Sequence, residues 1–439
     1  MKFYDRENEI LKLHDIRALA NQSARFTIVT GRRRIGKTSL LMKAYGDEPM
    51  LYFFVSRESE AGLCREFADE VKAKLHVPVL GNVEHFSELF EFIMALSKSR
   101  PLTLVIDEFQ NFMRVNNAVF SQMQRIWDLN KGDSKLNLVV CGSVFSLITH
   151  LFRDSSEPLY GRQTDFMHVE HFAPSGLKQI LFDHNPDATS EDLLALFLFT
   201  GGVAKYVELL MDSRTTTKTK MLHQVLAKDS YFIQEGKNML IEEFGRDYGR
   251  YFEILKLIAG GRNTRAEIED TLKCEVSGYM TRLENDYALI TKHRPMLQVS
   301  SNKNTRYAVT DTFLQFWFRF IYKYNYIIET NAYDKLFAIV ERDYTTFSGR
   351  VLEQYFRCKL IEEGQYTRIG SWWDHRGENE IDIVALDDLE HRITFFEVKR
   401  SRAAIDLDLL QEKTKYFFAK NGDYADYVAQ YCGLSLEDM

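Results

Sequence analysis

Short runs rich in apolar and β-branched residues punctuate the first part of the chain, at positions 26–30, 51–55, 102–106 and 136–141. Between them apolar residues recur every three or four positions, as at 7–19 and again after Ser39. Runs without polar alternation fit strands covered on both faces. Their alternation with helical stretches is the rhythm of a parallel sheet built from βαβ units. One more run, 165–170, predicts the strand that closes this part of the chain before Pro174. The pattern predicts an α/β fold whose ligand edge lies at the C-terminal ends of the strands.

The pattern then changes. Residues 175–230 are almost wholly helical in period, with a break at Gly201-Gly202. Helical stretches follow at 252–258, 264–272 and 276–287, and two β-type runs flank the loop 300–304. That order predicts a winged helix. Its third helix carries Arg282 beside Glu284 and Asp286, whereas the strand region holds Lys292, His293, Arg294, Lys303 and Arg306. A structural role and a DNA-reading role both stand, and the acids on the third helix favour the first. Residues 313–328 resemble a membrane span in apolarity, but Gln315, Arg319 and Lys323 at steps of four form a polar stripe. An amphipathic helix packed on a neighbour is the expectation there. A proline-free linker at 333–345 and an amphipathic helix at 347–358 follow.

Composition narrows the class. The 439 residues suffice for two or more domains, and 45% hydrophobic with 27% charged residues is ordinary for a soluble globular chain. A net charge of −7 exerts no global pull on nucleic acid, so any such contact needs a local basic patch. The five cysteines (Cys64, Cys141, Cys274, Cys358 and Cys432) include no CxxC pair, which implies a reducing compartment without disulfides or zinc. The opening Met1-Lys2-Phe3-Tyr4-Asp5-Arg6-Glu7 is too charged for a signal peptide. A cytoplasmic protein without a membrane partner is expected.

Chemistry enters at the end of the first run. Gly31, Arg32, Arg33, Arg34, Ile35, Gly36, Lys37 and Thr38 match the phosphate-binding P-loop, and Ser39 continues into the helical stretch. Glycines let backbone N–H groups curl around phosphates, and the helix N-terminus adds partial positive charge. Lys37 is suited to the β- and γ-phosphates of ATP, and Thr38 to Mg²⁺. Four of the five residues before Asp107 are apolar, and the strand they form ends in Asp107 and Glu108. Asp107 is placed to hold Mg²⁺ through water. Glu108 is placed to polarise the attacking water, which makes an ATPase rather than a passive holder. Ser143, after Cys141-Gly142, either senses the γ-phosphate or ends a strand in a turn. Arg162 either reaches a phosphate, in cis or from a neighbouring copy, or is a solvated surface residue.

A second group of chemical residues lies near the other end. Glu378, Glu380 and Asp382 precede an apolar run, a turn at Asp387-Asp388 follows, and the next strand carries Glu397 and Lys399 on one face. Paired by a short turn, the strands would bring Asp382 to Glu397 and Lys399. Acids can hold Mg²⁺ against a phosphate, and the lysine can orient a water, which suits phosphodiester hydrolysis. An exposed polar hairpin face is the competing reading.

The Asp382…Glu397-x-Lys399 arrangement resembles the PD-(D/E)xK nuclease motif. Trp372-Trp373 and Phe396-Glu397-Val398-Lys399 resemble the C-terminal domain fused to prokaryotic P-loop ATPases of the archaeal-type family. Phe3-Tyr4-Asp5-Arg6-Glu7 resembles that family's nucleotide-contacting N-terminus, the arginine-rich loop its P-loop, and Cys141-Gly142-Ser143 its sensor strand. Gly201-Gly202-Val203 resembles its lid signature, with Ala204 where proline is usual, and 306–320 resembles its segment after the winged helix. The resemblance covers nearly the whole chain. It implies the AAA+/STAND branch, a sheet order unlike that of Rossmann enzymes, and activity gated by assembly. It also implies that Arg6 contacts nucleotide, that Glu353, Asp382 and Glu397 are metal ligands, and that Lys399 is the catalytic lysine.

The expected architecture is a P-loop NTPase parallel sheet (1–173) with a helical lid (174–235), a winged-helix domain (236–310), a helical linker (311–345) and an α/β restriction-endonuclease-like domain (346–439). ATP would bind between the sheet edge and the lid. The expected cofactors are ATP and Mg²⁺, and the candidate partners are DNA or RNA and a second copy of the chain. An ATP-regulated nuclease, a signalling or scaffold switch that binds without cutting, and a winged-helix DNA-binding regulator are the three functions to separate.

Overall fold

The apolar runs of the first part pair as parallel strands in a computed structural model that describes residues 1–46, 50–77, 81–142, 145–244, 248–297 and 304–439. Two units result, one of Asp5–Glu170 and the other of Met1–Tyr4 with His171–Met439. The first runs α1 (Glu7–Ala20), β1 (Arg25–Thr30), α2 (Lys37–Tyr45), β2 (Met50–Phe54), α3 (Glu60–Leu75), α4 (Phe86–Ser99), β3 (Leu102–Asp107), α5 (Phe112–Val115), α6 (Ala118–Asn130), β4 (Leu136–Cys141), α7 (Phe145–Arg153) and β5 (Asp165–His168).

The strand order is β2-β3-β4-β1-β5, every pair parallel. β4 therefore separates the P-loop strand β1 from the acid-bearing strand β3, a sheet order unlike that of Rossmann enzymes. Alternate residues enter two cores. Ile28, Leu104, Ile106, Leu138 and Val140 pack on one face with Phe90 and Ile126. Val29, Val105, Val139 and Met167 pack on the other with Leu13, Leu40 and Leu41. Each such side chain contributes ~1.5–3 kcal/mol by burial, which is why these strands lack a polar face.

The second unit continues α8 (Pro174–His184), α9 (Ser190–Thr200), α10 (Ala204–Asp212), α11 (Lys218–Leu226), α12 (Tyr231–Phe244), α13 (Tyr248–Ala259), α14 (Arg265–Leu272), α15 (Ser277–Asn285), β6 (Ile290–His293), β7 (Arg306–Val309), α16 (Thr312–Phe316), α17 (Asn325–Glu329), α18 (Tyr333–Glu363), β8 (Arg368–Trp373), β9 (Glu380–Asp387), β10 (Arg392–Val398), α19 (Leu407–Lys420) and β11 (Val428–Leu434). The break at Gly201-Gly202 between α9 and α10 has a steric cause. Both glycines have positive φ, +57° and +73°. A Cβ on Gly202 would come 2.6 Å from the Phe172 carbonyl, and one on Gly201 2.9 Å from Asp311 Oδ1.

Two expectations need correction. The linker at 333–345 and the helix at 347–358 are one 31-residue helix, α18. Leu336, Val340, Tyr344, Ser348, Val351, Leu352 and Tyr355 keep a buried stripe running across the expected boundary, so nothing ends the helix until Gly364 at φ +66°. The helix expected at 313–328 is interrupted by a π-helical stretch, Trp317–Tyr322. Its wider turn breaks the four-residue spacing. Gln315 then bonds Val309 O at 2.7 Å and Gln354 Oε1 at 3.0 Å, while Arg319 meets Asp343 at 3.7 Å.

The last sheet has the order β11-β10-β9-β8. β8, β9 and β10 are antiparallel neighbours, and β11 returns parallel to β10 after α19. Ile383, Ala385, Phe396 and Val398 pack in the core that holds Val351, Leu352 and Tyr355 of α18. Ile381, Val384, Leu386, Ile393 and Phe395 pack with Leu410 and Phe417 of α19.

Candidate functional site

Side chains from α2, β2 and β4 converge on Asp107 in the first unit. Its Oδ2 accepts from Thr38 Oγ1 at 2.9 Å and from Tyr52 OH at 2.6 Å. Its Oδ1 accepts from Cys141 Sγ at 3.1 Å and from Glu108 N at 2.8 Å. Burial (6% exposure) pushes this carboxyl up, but the bonds from Tyr52, Cys141, Thr38 and the Glu108 amide outweigh it, and its pKa lies below the usual value. The same contacts raise Tyr52 and Cys141, in both of which burial is the largest cause. Asp107 is thus a carboxylate at neutral pH with its donors in place.

The P-loop is shaped by backbone that only certain residues tolerate. Gly31 has φ +144°, and a Cβ there would come 2.6 Å from the Val169 carbonyl. Gly36, at φ +95°, leads into α2, and Arg34 also adopts positive φ, +68°. Ile35 is buried in the core shared with Val29 and Leu41. Lys37 is 7% exposed and donates from Nζ to Gly31 O at 2.8 Å and Arg32 O at 3.0 Å. Arg32, Arg33 and Arg34 are half-buried, and Thr38 and Ser39 open to solvent.

Glu108 has φ +54°, a turn that carries the chain away from β3. Gln110 Nε2 donates to its Oε2 at 2.6 Å. Gly142 gives this glutamine room, since a Cβ there would lie 2.0 Å from Gln110 Oε1. Arg6 is buried and donates to Glu170 O at 2.6 Å and Glu9 Oε1 at 3.1 Å, next to the Val169 that packs on Gly31. Arg162 instead meets Tyr160 O at 2.8 Å and Asp128 at 3.4 Å. Ser143 lies outside the described residues. Sequence reasoning missed Tyr52 and Gln110. Tyr52 is the one polar-tipped residue of Met50–Phe54, a faint signal.

The second unit gathers its expected residues too, in a different form. Asp382 Oδ2 accepts from Val398 N at 2.8 Å and Lys399 Nζ at 3.4 Å. Lys399 Nζ also meets Glu397 Oε1 at 2.9 Å, so the ammonium stands between two carboxylates. Burial lowers the Lys399 pKa, yet Glu397 and Asp382 together hold it above its usual value. Glu397 is 4% exposed, and its buried Oε2 has no hydrogen-bond partner among the described residues. Burial, with the charges of Asp382 and Glu380, pushes Glu353 up to about 8. Glu353 joins the others through charge. Among the described residues no group of three or more His, Cys, Asp or Glu side chains is placed to hold a metal.

Of the strand-side basic residues, Arg306 turns inward, whereas Arg294 is exposed. Arg306 pairs with Glu380 at 2.8 Å and lies over the Trp373 ring at 4.4 Å, which leaves it engaged by its own chain rather than presented to a duplex. Lys303 lies outside the described residues.

Residues 3–210 match an ATPase domain predominantly from Archaea. This part of the chain is an ATPase domain. Downstream of the ATPase domain, residues 317–414 match archaeal and bacterial proteins of unknown function, a span that includes Glu353, Asp382, Glu397 and Lys399. The chain is 29% identical over 406 residues to an uncharacterised protein of Methanocaldococcus jannaschii, covering 90% of this chain and 87% of that one. A second uncharacterised protein of that organism is 38% identical over 56 residues, 13% of this chain and 54% of its own. The Walker-type ATPase of Pyrococcus abyssi shares the fold at a TM-score of 0.56 and 20% identity, covering 72% of this chain and 96% of that one. The chain is an ATPase with a parallel five-stranded α/β sheet. Among the described residues no helix is long and apolar enough to cross a membrane.

Proposed function

We propose that the ATPase domain is the Mg²⁺-dependent control element of a chain whose C-terminal domain acts on nucleic acid. Residues 31–39 cradle the phosphates of ATP, Lys37 offsets their charge, and Arg6 steadies the N-terminal approach. Thr38 and Asp107 fit Mg²⁺: both offer hard oxygen, and Asp107 is kept ionised by its four donors. Bound there, Mg²⁺ would offset charge on the β- and γ-phosphates. Glu108, oriented by Gln110, polarises the attacking water. Ser143 and Arg162 are further candidates for the γ-phosphate, Arg162 from a second copy of the chain.

The C-terminal reading is carried by one observation. Glu353, Asp382, Glu397 and Lys399, spread over 47 positions of sequence, converge electrostatically where α18 covers the β9–β10 pair. The order of α18, β8, β9, β10, α19 and β11 supports a restriction-endonuclease-like core. The unpartnered Glu397 Oε2 fits a divalent cation shared with Asp382 once Lys399 swings aside. Such a cation would polarise a phosphoryl oxygen. Lys399 then orients water, and Glu353, protonated near neutral pH, holds a proton beside it. We assign 174–235 to a lid and 236–310 to a winged helix on the order of their elements.

Metal-dependent cleavage of DNA or RNA by the full chain, lost in Asp382→Ala and Glu397→Ala with ATP hydrolysis intact, is the expected result. Cleavage unchanged in both variants overturns the nuclease. A domain that binds without cutting is the second reading, favoured by the ammonium now seated between Asp382 and Glu397. Light scattering with and without ATP tests self-assembly.

A further inference from the structure

Arg357 stands one helical turn beyond Glu353 on α18. Burial pulls its guanidinium below its usual value, and the nearby acids offset that only in part. Yet it forms no ion pair among the described residues. Nη2 donates to Ser371 Oγ at 2.5 Å, Nη1 faces His293 Nδ1 at 3.4 Å, and the buried Nε has no partner. An arginine carries five donors and cannot shed its proton, so burying one without a carboxylate is costly unless an anion arrives.

The surroundings are organised to aim that fork. Ser371 Oγ in turn donates a hydrogen bond to the Asp382 carbonyl at 2.8 Å, which ties the guanidinium to the strand that bears the carboxylate. Met296 N bonds Ser371 O at 2.9 Å and Arg306 pairs with Glu380 at 2.8 Å, so the β6–β7 hairpin is held against β8 and β9 on this side. His293 on β6 is pushed down to about 4, first by burial and then by Arg357 itself. It is neutral at physiological pH and adds no second cation.

We propose that Arg357 is the phosphate-positioning residue of the C-terminal site, its fork receiving a phosphodiester of nucleic acid beside Asp382 with the β6–β7 hairpin as the adjoining wall. Planar bidentate recognition of phosphate is what a guanidinium does better than an ammonium. The assignment rests on the nuclease-like reading of the same site, but it concerns binding and is tested separately from cleavage.

The test is fluorescence anisotropy of labelled single-stranded and duplex oligonucleotides with the full chain, Ca²⁺ replacing Mg²⁺ to suppress cleavage. Arg357→Gln is expected to weaken binding roughly 10- to 100-fold and to lower the slope of log Kd against log salt by about one. A packing role alone would not move that slope. Should Arg357→Gln not fold, Arg357→Lys carries the test: it keeps the charge without the fork and is expected to lose affinity several-fold. Wild-type affinity in either folded variant overturns the assignment, as does absence of oligonucleotide binding by the wild-type chain. If Arg357→Gln loses binding while the wild-type chain cleaves nothing in Mg²⁺ or Mn²⁺, the nuclease fails and the phosphate site stands.

Discussion

Replacing Tyr52 by phenylalanine removes a single hydroxyl, 2.6 Å from Asp107 Oδ2, and leaves the ring to fill its place on β2. No buried donor is orphaned, because the donor is what leaves. A hydrogen bond to an ionised group is worth ~1.5–3 kcal/mol, and Tyr52 is partly exposed, so the lower end applies. Oδ2 retains Thr38, and Oδ1 retains Cys141 and the Glu108 amide. For a domain of this size ~1.5 kcal/mol corresponds to a fall in Tm of roughly 3–6 °C at neutral pH. The pH dependence carries more information. Asp107 has a folded pKa below its unfolded value, so its contribution is complete above the unfolded pKa and is lost as pH falls through the folded one. Burial alone would push this carboxyl upward, so losing one of four donors moves its pKa up, and the loss of stability begins at higher pH. Thermal melts followed by circular dichroism from neutral pH down to about pH 3 should show the variant's acid limb displaced upward. Titration of Mg²⁺–ATP binding over the same range should show the same displacement. Superimposable acid limbs for Tyr52→Phe and wild type would refute the four-donor account of Asp107.

Three further substitutions probe the remaining contacts. Glu108→Gln should retain ATP binding and lower the hydrolysis rate ~10²–10⁴-fold, and wild-type turnover would remove Glu108 from its role. Gly142→Ala places a methyl 2.0 Å from Gln110 Oε1 and 2.8 Å from Ile148, displacing the glutamine that donates to Glu108. Its kcat should fall while ATP affinity holds, and an unchanged kcat argues against orientation by Gln110. Arg400→Ala cuts the side chain that joins Glu191 of α9 to Ser348 of α18, immediately after Lys399. Urea unfolding should show a loss of about 1–3 kcal/mol, and any cleavage should fall with it; full stability would make that link incidental.

Local chemistry was legible wherever neighbours in sequence are neighbours in space. The P-loop is one such case: its glycines, lysine and threonine act within a single strand–turn–helix, so their spacing carries the geometry. Asp107 was legible because an apolar strand must end somewhere, and two acids at that end are conspicuous. Asp382, Glu397 and Lys399 were legible because a short turn joins their strands. Tyr52 was not, because its partner lies on another strand and only the β2–β3 register, Tyr52 opposite Val105, brings the phenol to Asp107. Arg306 read as a free basic residue, yet its direction is decided by Trp373 and Glu380, far along the chain. The π-helical turn at Trp317–Tyr322 also escaped, since apolar periodicity alone does not distinguish it from an α-helix.

By itself the order of residues determined an α/β ATPase with a P-loop, an Asp107-Glu108 pair on a buried strand, and an acid–lysine cluster near position 390. These depend on short-range backbone geometry and on the burial of apolar runs, both of which are written locally. Tertiary structure decided the rest. It placed β4 between the P-loop and the acids so that Cys141 and Tyr52 complete the shell of Asp107. It set the Lys399 ammonium between Asp382 and Glu397, and left Arg357 beside them without a carboxylate of its own. Charge balance in a buried cluster is a sum over elements that meet only when the chain folds, and no single stretch of sequence contains that sum.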